Sequence, residues 1–217
     1  MERISSSVIR QQLKLYFIMG SGNCSQTPAE VLRAAIAGGI TMFQFREKGP
    51  AALTGAACME LARSLQQICR SHGIPFIVND DIGLAVTLDA DGIHVGQEDV
   101  PARTLREQLG PRKIIGVSAH TLEEAGQAIA DGADYLGVGP VYPTSSKDDA
   151  RAVQGTNTIS VLRRSGLSIP LVGIGGITAA NCRPVMAAGA DGISVISAIA
   201  GAADVQAAAE AFVQAIG

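Results

Sequence analysis

Short runs of apolar, β-prone residues alternate along the chain with longer segments whose apolar residues recur at helical spacing. There are eight such runs, and eight units in 217 residues give about 27 residues per unit. One strand, one helix and two loops need roughly 30 residues. The predicted strands are Leu13–Met19, Ile40–Phe45, Pro75–Asn79, Gly92–Val95, Ile114–Val117, Tyr135–Gly139, Pro170–Gly173 and Gly192–Val195. The predicted helices are Pro28–Ala37, Thr54–His72, Ile82–Leu88, Pro101–Leu109, Thr121–Asp131, Asn157–Ser165, Thr178–Ala188 and Ala203–Ile216. This rhythm predicts an α/β fold, a single-domain (β/α)8 or TIM barrel.

A weak internal repeat supports this prediction. The segments 37–40, 90–93, 132–135 and 189–193 each join a helical pattern to a strand through Gly or Asp. Glycine suits a helix C-terminus and aspartate a local turn, so we expect the repeat at the end of the barrel opposite the chemistry. An open doubly wound sheet is the competing architecture, but the first strand is not followed by a dinucleotide-binding glycine motif. We therefore expect one domain over 1–217, with 1–12 as a helical extension before the first strand.

Composition and charge narrow the class of protein. Hydrophobic residues make up 47% of the chain but aromatic residues only 4%, as expected for a core of buried parallel strands. The net charge is −3 with scattered cations, which argues against nucleic-acid binding. Neither a signal segment nor a membrane-length apolar run is present, so a cytoplasmic protein without a membrane partner is expected. The four cysteines are widely separated and are predicted to be buried thiols. A homo-oligomer stays open.

Acidic residues follow two neighbouring predicted strands. Asn79-Asp80-Asp81 comes after the third strand, and Gly96-Gln97-Glu98-Asp99 after the fourth. Carboxylates brought together by parallel strands repel each other unless a hard cation neutralises them, and Mg²⁺ binds through one or two carboxylates plus phosphate oxygens. We predict Asp80 and Asp99 as Mg²⁺ ligands and a phosphate-bearing substrate. The alternative for the first cluster is helix capping, and strand alternation would turn Glu98 away from Asp99.

Cationic and amide groups follow the second strand in Gln44-Phe45-Arg46-Glu47-Lys48. Residues 44, 46 and 48 share one side of an extended backbone, so they are predicted to face the same space. Arginine and lysine donors suit a diphosphate. The alternative is that these charges only solvate the end of a strand.

Three later segments are candidates for phosphate binding. A long loop, 139–149, carries Thr144, Ser146 and Lys147, and long βα loops often close over substrate, although an ordinary surface loop is the alternative. Segments 173–178 and 195–199 follow the seventh and eighth strands, where many TIM barrels bind phosphate; tight helix–strand packing would also explain their glycines. His72 and His94 are interpreted as structural, and His120 lies near the expected active face.

In their order along the chain, these motifs resemble the thiamine-phosphate synthase family over nearly the whole length. The motifs that carry the resemblance are Gln44-x-Arg46-x-Lys48, Asn79-Asp80-Asp81, Gly96-Gln97-Glu98-Asp99, Gly116-Val117-Ser118, 139–144, Lys147 and 173–177.

The resemblance implies that hydroxymethylpyrimidine diphosphate is coupled to hydroxyethylthiazole phosphate, or its carboxylated form, giving thiamine phosphate and diphosphate. The pyrimidine diphosphate would be bound by Gln44, Arg46, Lys48, Asn79, Ser118 and Lys147, and among these Arg46, Lys48, Ser118 and Lys147 would be the catalytic group. Mg²⁺ would be bound by Asp80 and Asp99. The thiazole phosphate would be bound by Thr144, Ser146, Gly176, Ile196 and Ser197.

Loss of diphosphate before attack by the thiazole nitrogen needs no protein nucleophile, which agrees with the lack of a recognisable Ser/His/Asp arrangement in the sequence. Two rival functions stay open. A thiazole tautomerase of the same superfamily would use a histidine in acid–base work and no diphosphate–Mg²⁺ site. A sensor of phosphorylated metabolites would bind ligand at the glycine-rich site without chemistry.

Overall fold

Eight parallel strands close into a barrel in the computed structural model, which describes residues 3–24, 26–144, 146 and 152–217. The strands are β1 (Leu15–Met19), β2 (Met42–Phe45), β3 (Phe76–Asn79), β4 (Gly92–Val95), β5 (Ile114–Ala119), β6 (Tyr135–Val138), β7 (Leu171–Ile174) and β8 (Gly192–Val195). The helices are α1 (Ser6–Gln12), α2 (Pro28–Ala37), α3 (Gly55–Ser71), α4 (Ile82–Thr87), α5 (Ala102–Leu109), α6 (Leu122–Ala130), α7 (Asn157–Arg164), α8 (Arg183–Ala187), α9 (Ser197–Ala200) and α10 (Val205–Ile216), and a 3₁₀ turn covers Ser21–Asn23. Each strand pairs with its neighbour in chain order, and β8 closes on β1. The predicted (β/α)8 barrel is confirmed.

Apolar residues are buried on both faces of the barrel sheet. Outside the barrel, between strands and helices, Phe43 lies with its ring centroid 5.8 Å from that of Phe17 and 5.8 Å from that of Phe76. A second cluster fills the inside, because alternate residues of a strand point to opposite faces. Its buried members are Ile9, Leu13, Tyr16, Ile18, Met42, Ile77, Ile114, Tyr135, Val172 and Ile196. In the described part of the chain, the helices are too short or too polar to cross a bilayer.

Helix α1 and the residue after it belong to the inner cluster. Ile9 on α1 and Leu13 just beyond it are fully buried against residues that point into the barrel. The Thr41 hydroxyl just before β2 donates to the Gln12 carbonyl, and the Ile193 N–H near the start of β8 donates to the Lys14 carbonyl. This segment therefore lies at the N-terminal end of the strands, the end opposite the loops that follow them.

Two aspartates fix the N-terminal ends of β5, β6, β7 and β8. Asp134 Oδ2 accepts the Ile115 N–H at 2.8 Å and an Arg106 bond at 2.5 Å, while its Oδ1 accepts from Arg3 at 2.6 Å. Asp191 repeats the arrangement with the Leu171 N–H, Arg163 and Arg10. Arg106 on α5 and Arg163 on α7 each lie 28 residues before the aspartate they contact. These two "aspartate clamps" explain part of the Gly/Asp repeat in the sequence.

The predicted helix starts agree with the structure at most positions but not at α8. Thr27 Oγ1 accepts the Glu30 N–H, and Glu30 Oε2 accepts the Thr27 N–H, as the capping pattern predicts. The helix predicted from Thr178 begins only at Arg183. Asn181 Oδ1 accepts the Thr178 N–H at 2.7 Å, so a side-chain-stabilised turn replaces the first helical turn.

Gly116 makes room for the ring of Tyr135 inside the barrel. A Cβ at this position would lie 2.1 Å from Tyr135 Cζ and 2.3 Å from its hydroxyl oxygen. Tyr135 is fully buried, so the ring has little space to move away. We expect Gly116→Ala to lower the free energy of unfolding by about 1–3 kcal/mol through overpacking, measured as a lower urea midpoint.

The matched control is Gly126→Ala on α6, where a Cβ would meet no heavy atom within 4 Å. Alanine there should raise stability by up to about 1 kcal/mol through helix propensity. Equal urea midpoints for the two variants would contradict the overpacking argument.

Candidate active site

A cavity of about 690 Å³ lies at the C-terminal ends of the strands, the end where TIM-barrel enzymes place their chemistry. Its walls come from β5, β6, β7 and β8 and from the loops after β2, β4, β5, β6, β7 and β8. The predicted site residues on its walls are Lys48, Asp99, Ser118, Thr144, Ser146, Gly176, Ile196 and Ser197. Six of the segments singled out in the sequence therefore meet in one cavity.

The acidic side of the site joins Asp80, Asp99 and Lys48. The Lys48 ammonium group forms an ion pair with Asp80. Burial raises the pKa of the Asp80 carboxyl; Lys48 opposes this shift, and the Asp99 carboxyl beside it adds to it. Asp80 also has a left-handed backbone, with φ of 59°, which aspartate tolerates better than most residues. The two predicted metal ligands are thus brought together, with a cation beside them.

These carboxylates fit Mg²⁺ as a donor set. Asp80 and Asp99 supply oxygen ligands only, which suits a hard cation. No group of three or more His, Cys, Asp or Glu that would enclose an ion occurs among the residues that the structure describes. A metal held here would therefore complete its coordination with water and ligand oxygens, as Mg²⁺ commonly does with phosphates.

The helix-capping alternative for the first acidic cluster applies to Asp81. Its Oδ1 accepts the Leu84 N–H at 2.8 Å at the start of α4. Asp99 has a local role as well, since its Oδ2 accepts the Gly96 N–H at 2.7 Å. Asp81 therefore caps the helix, whereas the Asp80 carboxylate pairs with Lys48 beside the cavity.

Four predicted site residues do not line the cavity itself: Gln44, Arg46, Asn79 and Asp80. Gln44 is 1% exposed and donates from Nε2 to the hydroxyl of Tyr16 at 2.6 Å. The expectation that residues 44, 46 and 48 face the same open space is therefore wrong for Gln44, because it points into the packed barrel, whereas Lys48 reaches the cavity wall. Arg46 is buried.

Hydroxyl groups from two loops meet on the opposite wall. Ser146 Oγ lies 3.0 Å from Ser197 Oγ, and the Ser146 N–H donates to Thr144 Oγ1 at 3.2 Å. Backbone bonds join the loops after β6 and β7, from the Val141 N–H to Ile174 and from the Tyr142 N–H to Gly175. These contacts bring the predicted phosphate-binding segments together. Lys147, predicted as a catalytic residue, lies outside the described residues.

A serine–histidine pair beside the cavity was not predicted from the sequence. Ser118 Oγ on the cavity wall lies 3.0 Å from His94 Nε2, and His94 Nδ1 lies 2.9 Å from the hydroxyl of Tyr135. A phenol, and not a carboxylate, faces Nδ1, so the pair lacks the third member of a hydrolytic triad. The inward position of His94 could have been predicted, because side chains alternate along β4 and His94 therefore shares the inward face with Gly92. Ser194 was also missed; its buried hydroxyl lines the cavity and has no partner among the described residues.

The cysteines do not supply a reactive thiolate. Cys69 and Cys182 are buried as predicted, but Cys24 and Cys58 are partly exposed, and all four are free. Burial is the main cause that raises the pKa of each thiol, to about 11 for Cys24 and about 12 for Cys69. All four are therefore mainly protonated near neutral pH.

Comparison with known proteins identifies the family. A model of the family described as thiamine monophosphate synthase matches residues 15–199. A thiamine-phosphate synthase of Geobacillus kaustophilus is 58% identical over 216 residues, covering 100% of this chain and 97% of the relative. One of Bacillus cereus is 59% identical over 199 residues, covering 92% of this chain and 90% of the relative. A solved thiamine phosphate pyrophosphorylase from Pyrococcus furiosus is 40% identical with a TM-score of 0.84, covering 96% of this chain and 97% of that one.

These similarities extend over the strands and loops that form the cavity, and the predicted resemblance is confirmed. The chain belongs to the thiamine monophosphate synthase family and is a transferase.

Proposed function

We propose that the chain transfers the aminopyrimidine methylene group of hydroxymethylpyrimidine diphosphate to the nitrogen of hydroxyethylthiazole phosphate or its carboxylated form. The products are thiamine phosphate and diphosphate. The observation that carries this proposal is the cavity with two unlike walls: a lysine and carboxylates on one side, and hydroxyls with a glycine-rich loop on the other. Such walls match two substrates that each carry phosphate.

The diphosphate would lie on the side of Lys48, Asp80 and Asp99. Mg²⁺ bound by the two carboxylates would neutralise negative charge on the leaving diphosphate. Lys48, on the cavity wall beside Asp80, would stabilise the same charge electrostatically. By the family resemblance, Arg46 and Lys147 add cationic donors, and Asn79 and Ser118 bind the pyrimidine diphosphate. Gln44, which the resemblance also implies, is instead bonded to Tyr16 inside the barrel.

The thiazole phosphate would lie on the opposite wall. Thr144, Ser146 and Ser197 offer hydroxyl donors there. Gly176 offers backbone from the loop after β7, and Ile196 offers backbone at the start of α9. Because these hydroxyl donors are uncharged, they can bind a phosphate without a positive charge that would also attract the diphosphate to this wall. Holding both substrates in one cavity replaces a bimolecular encounter with a positioned attack by the thiazole nitrogen.

One feature would suit the rival tautomerase. His120 lines the cavity, and its Nδ1 lies 3.0 Å from Glu124 Oε2, an arrangement that favours acid–base work. Relatives near 58% identity that carry the synthase name, together with the carboxylate pair beside Lys48, favour the synthase.

The test is diphosphate release by the purified protein supplied with both substrates, with mass detection of thiamine phosphate. We expect equal amounts of the two products with Mg²⁺ and none with a chelator. Each substrate alone serves as the control. Turnover of a thiazole phosphate alone without Mg²⁺ would establish the tautomerase, and binding of both substrates without product would establish the sensor.

A further inference from the structure

Five polar side chains form a continuous hydrogen-bonded row through the barrel interior, here called the buried relay. Gln44 Nε2 lies 2.6 Å from the hydroxyl oxygen of Tyr16, which lies 2.8 Å from that of Tyr135. The Tyr135 oxygen lies 2.9 Å from His94 Nδ1, and His94 Nε2 lies 3.0 Å from Ser118 Oγ. Four members are buried, and Ser118 at the end of the row lines the cavity.

The donor and acceptor roles along the relay follow from the bond between Gln44 and Tyr16. The amide nitrogen of Gln44 can only donate, so the hydroxyl of Tyr16 accepts from it and gives its one proton to Tyr135. Tyr135 in turn gives its proton to His94 Nδ1. A neutral histidine that accepts at Nδ1 carries its proton on Nε2 and donates it to Ser118 Oγ.

Both phenols keep the proton that this order needs. Burial raises the pKa of Tyr16 and of Tyr135 well above the ordinary tyrosine value. Their rings are held edge to face, with centroids 5.9 Å apart, so the two hydroxyls have a fixed meeting point.

Two other arrangements of the protons along the relay fit the surrounding residues less well. A His94 ring with a proton on Nδ1, either charged or in the other neutral tautomer, would donate to Tyr135. One of the two phenol hydroxyls would then accept twice and have no acceptor for its own proton among the described residues. A reversed Gln44 amide would put its NH₂ where Oε1 now has no partner in the described structure. Buried N–H groups without an acceptor are rarer than carbonyl oxygens without a donor.

We infer that the buried relay fixes His94 as the Nε2–H tautomer and so makes the Ser118 hydroxyl a donor toward the cavity. Tyr16, Tyr135 and His94 are positioning residues that act through Ser118. The ligand atom at Ser118 is then an acceptor, such as an unprotonated ring nitrogen or a phosphate oxygen. Because Nε2 has no free lone pair in this state, His94 cannot activate Ser118 as a nucleophile.

The kinetic consequence rests on the proposed function, but the tautomer does not. Nitrogen NMR of the protein with ¹⁵N-labelled histidine, without substrate, reports which ring nitrogen carries the proton. The chain has three histidines, and His94→Gln identifies the signals of His94. We expect a bare Nδ1 and a protonated Nε2; a protonated Nδ1, in either the other tautomer or the charged ring, would overturn the inference.

A double-mutant cycle tests whether Tyr135 acts through Ser118. Tyr135→Phe keeps the ring and should lower kcat about tenfold, the worth of one directed hydrogen bond to a charged or strongly polar ligand. In a Ser118→Ala background the same change should have no further effect on kcat. If the double variant instead loses kcat by the product of the two single factors, Tyr135 has a merely structural role and the relay is refuted.

The two experiments separate the possible failures. Inactive protein with the expected tautomer would refute the proposed function and leave the relay standing. Active protein with the opposite tautomer would refute only the relay. If Tyr135→Phe does not fold, the NMR measurement on the unchanged protein still decides.

Discussion

Replacing Asp99 with asparagine is expected to lower kcat/KM about 100-fold or more and to raise the Mg²⁺ concentration needed for half-maximal activity. The change removes one of the two carboxylates proposed to bind the cation. Asparagine keeps an oxygen that accepts the Gly96 N–H, now 2.7 Å from Asp99 Oδ2, so the turn after β4 is retained. Diphosphate release measured over a Mg²⁺ titration, with circular dichroism to show intact fold, gives the result.

The matched control is Asp89→Asn at the opposite end of the barrel. Asp89 is an exposed carboxylate paired with Lys113 at 2.5 Å, and its φ of 50° is one that asparagine tolerates. This variant should keep the Mg²⁺ dependence of the unchanged protein. If Asp99→Asn also shows an unchanged Mg²⁺ curve, Asp99 is not a metal ligand.

Gly176→Ala is expected to lower kcat/KM for the thiazole phosphate about 100-fold by displacing the loops that form its proposed site. A Cβ at Gly176 would lie 2.4 Å from the Pro143 carbonyl oxygen and 2.8 Å from Tyr142 Cβ, so the loops after β6 and β7 must separate. Initial rates at varied thiazole phosphate and saturating pyrimidine diphosphate measure the loss. The KM of the pyrimidine diphosphate should change much less, because Lys48 and Asp99 are on other loops.

Gly166→Ala separates the steric clash from backbone strain. Gly166 has φ of 88°, compared with 62° at Gly176, but a Cβ there meets no heavy atom within 4 Å. Alanine should cost about 1–2 kcal/mol of stability at Gly166 and leave the thiazole KM unchanged. Equal kinetic losses in both variants would mean that the effect at Gly176 does not come from the loop contact.

The periodicity of the chain was enough to predict the barrel. All eight strands were found because each is a short, β-prone run between helical segments, and their shared C-terminal edge placed Lys48, Asp99 and Ser118 together. The errors lie where side chains compete with regular hydrogen bonding. Asn181 delays the start of α8, and the four-residue helix α9 was not predicted because it is too short to show a helical period.

The buried relay could not be predicted, because its members are far apart in the sequence. Tyr16 and Tyr135 are separated by 119 positions, and each reads as an ordinary strand residue in its own segment. Only the closed barrel brings their hydroxyls together. The inward face of β4 was predictable from alternation, but the partner of His94 across the barrel was not.

The two aspartate clamps should allow the loops of the catalytic face to change in evolution and in engineering. They hold the strands at the end opposite the cavity, and their residues are shared with none of its walls. Loops on the catalytic face can therefore be exchanged or randomised to select new substrates while Asp134 and Asp191 continue to keep the strands in register. Libraries that leave Arg106 and Arg163 unchanged should contain a larger fraction of folded members than libraries that vary them.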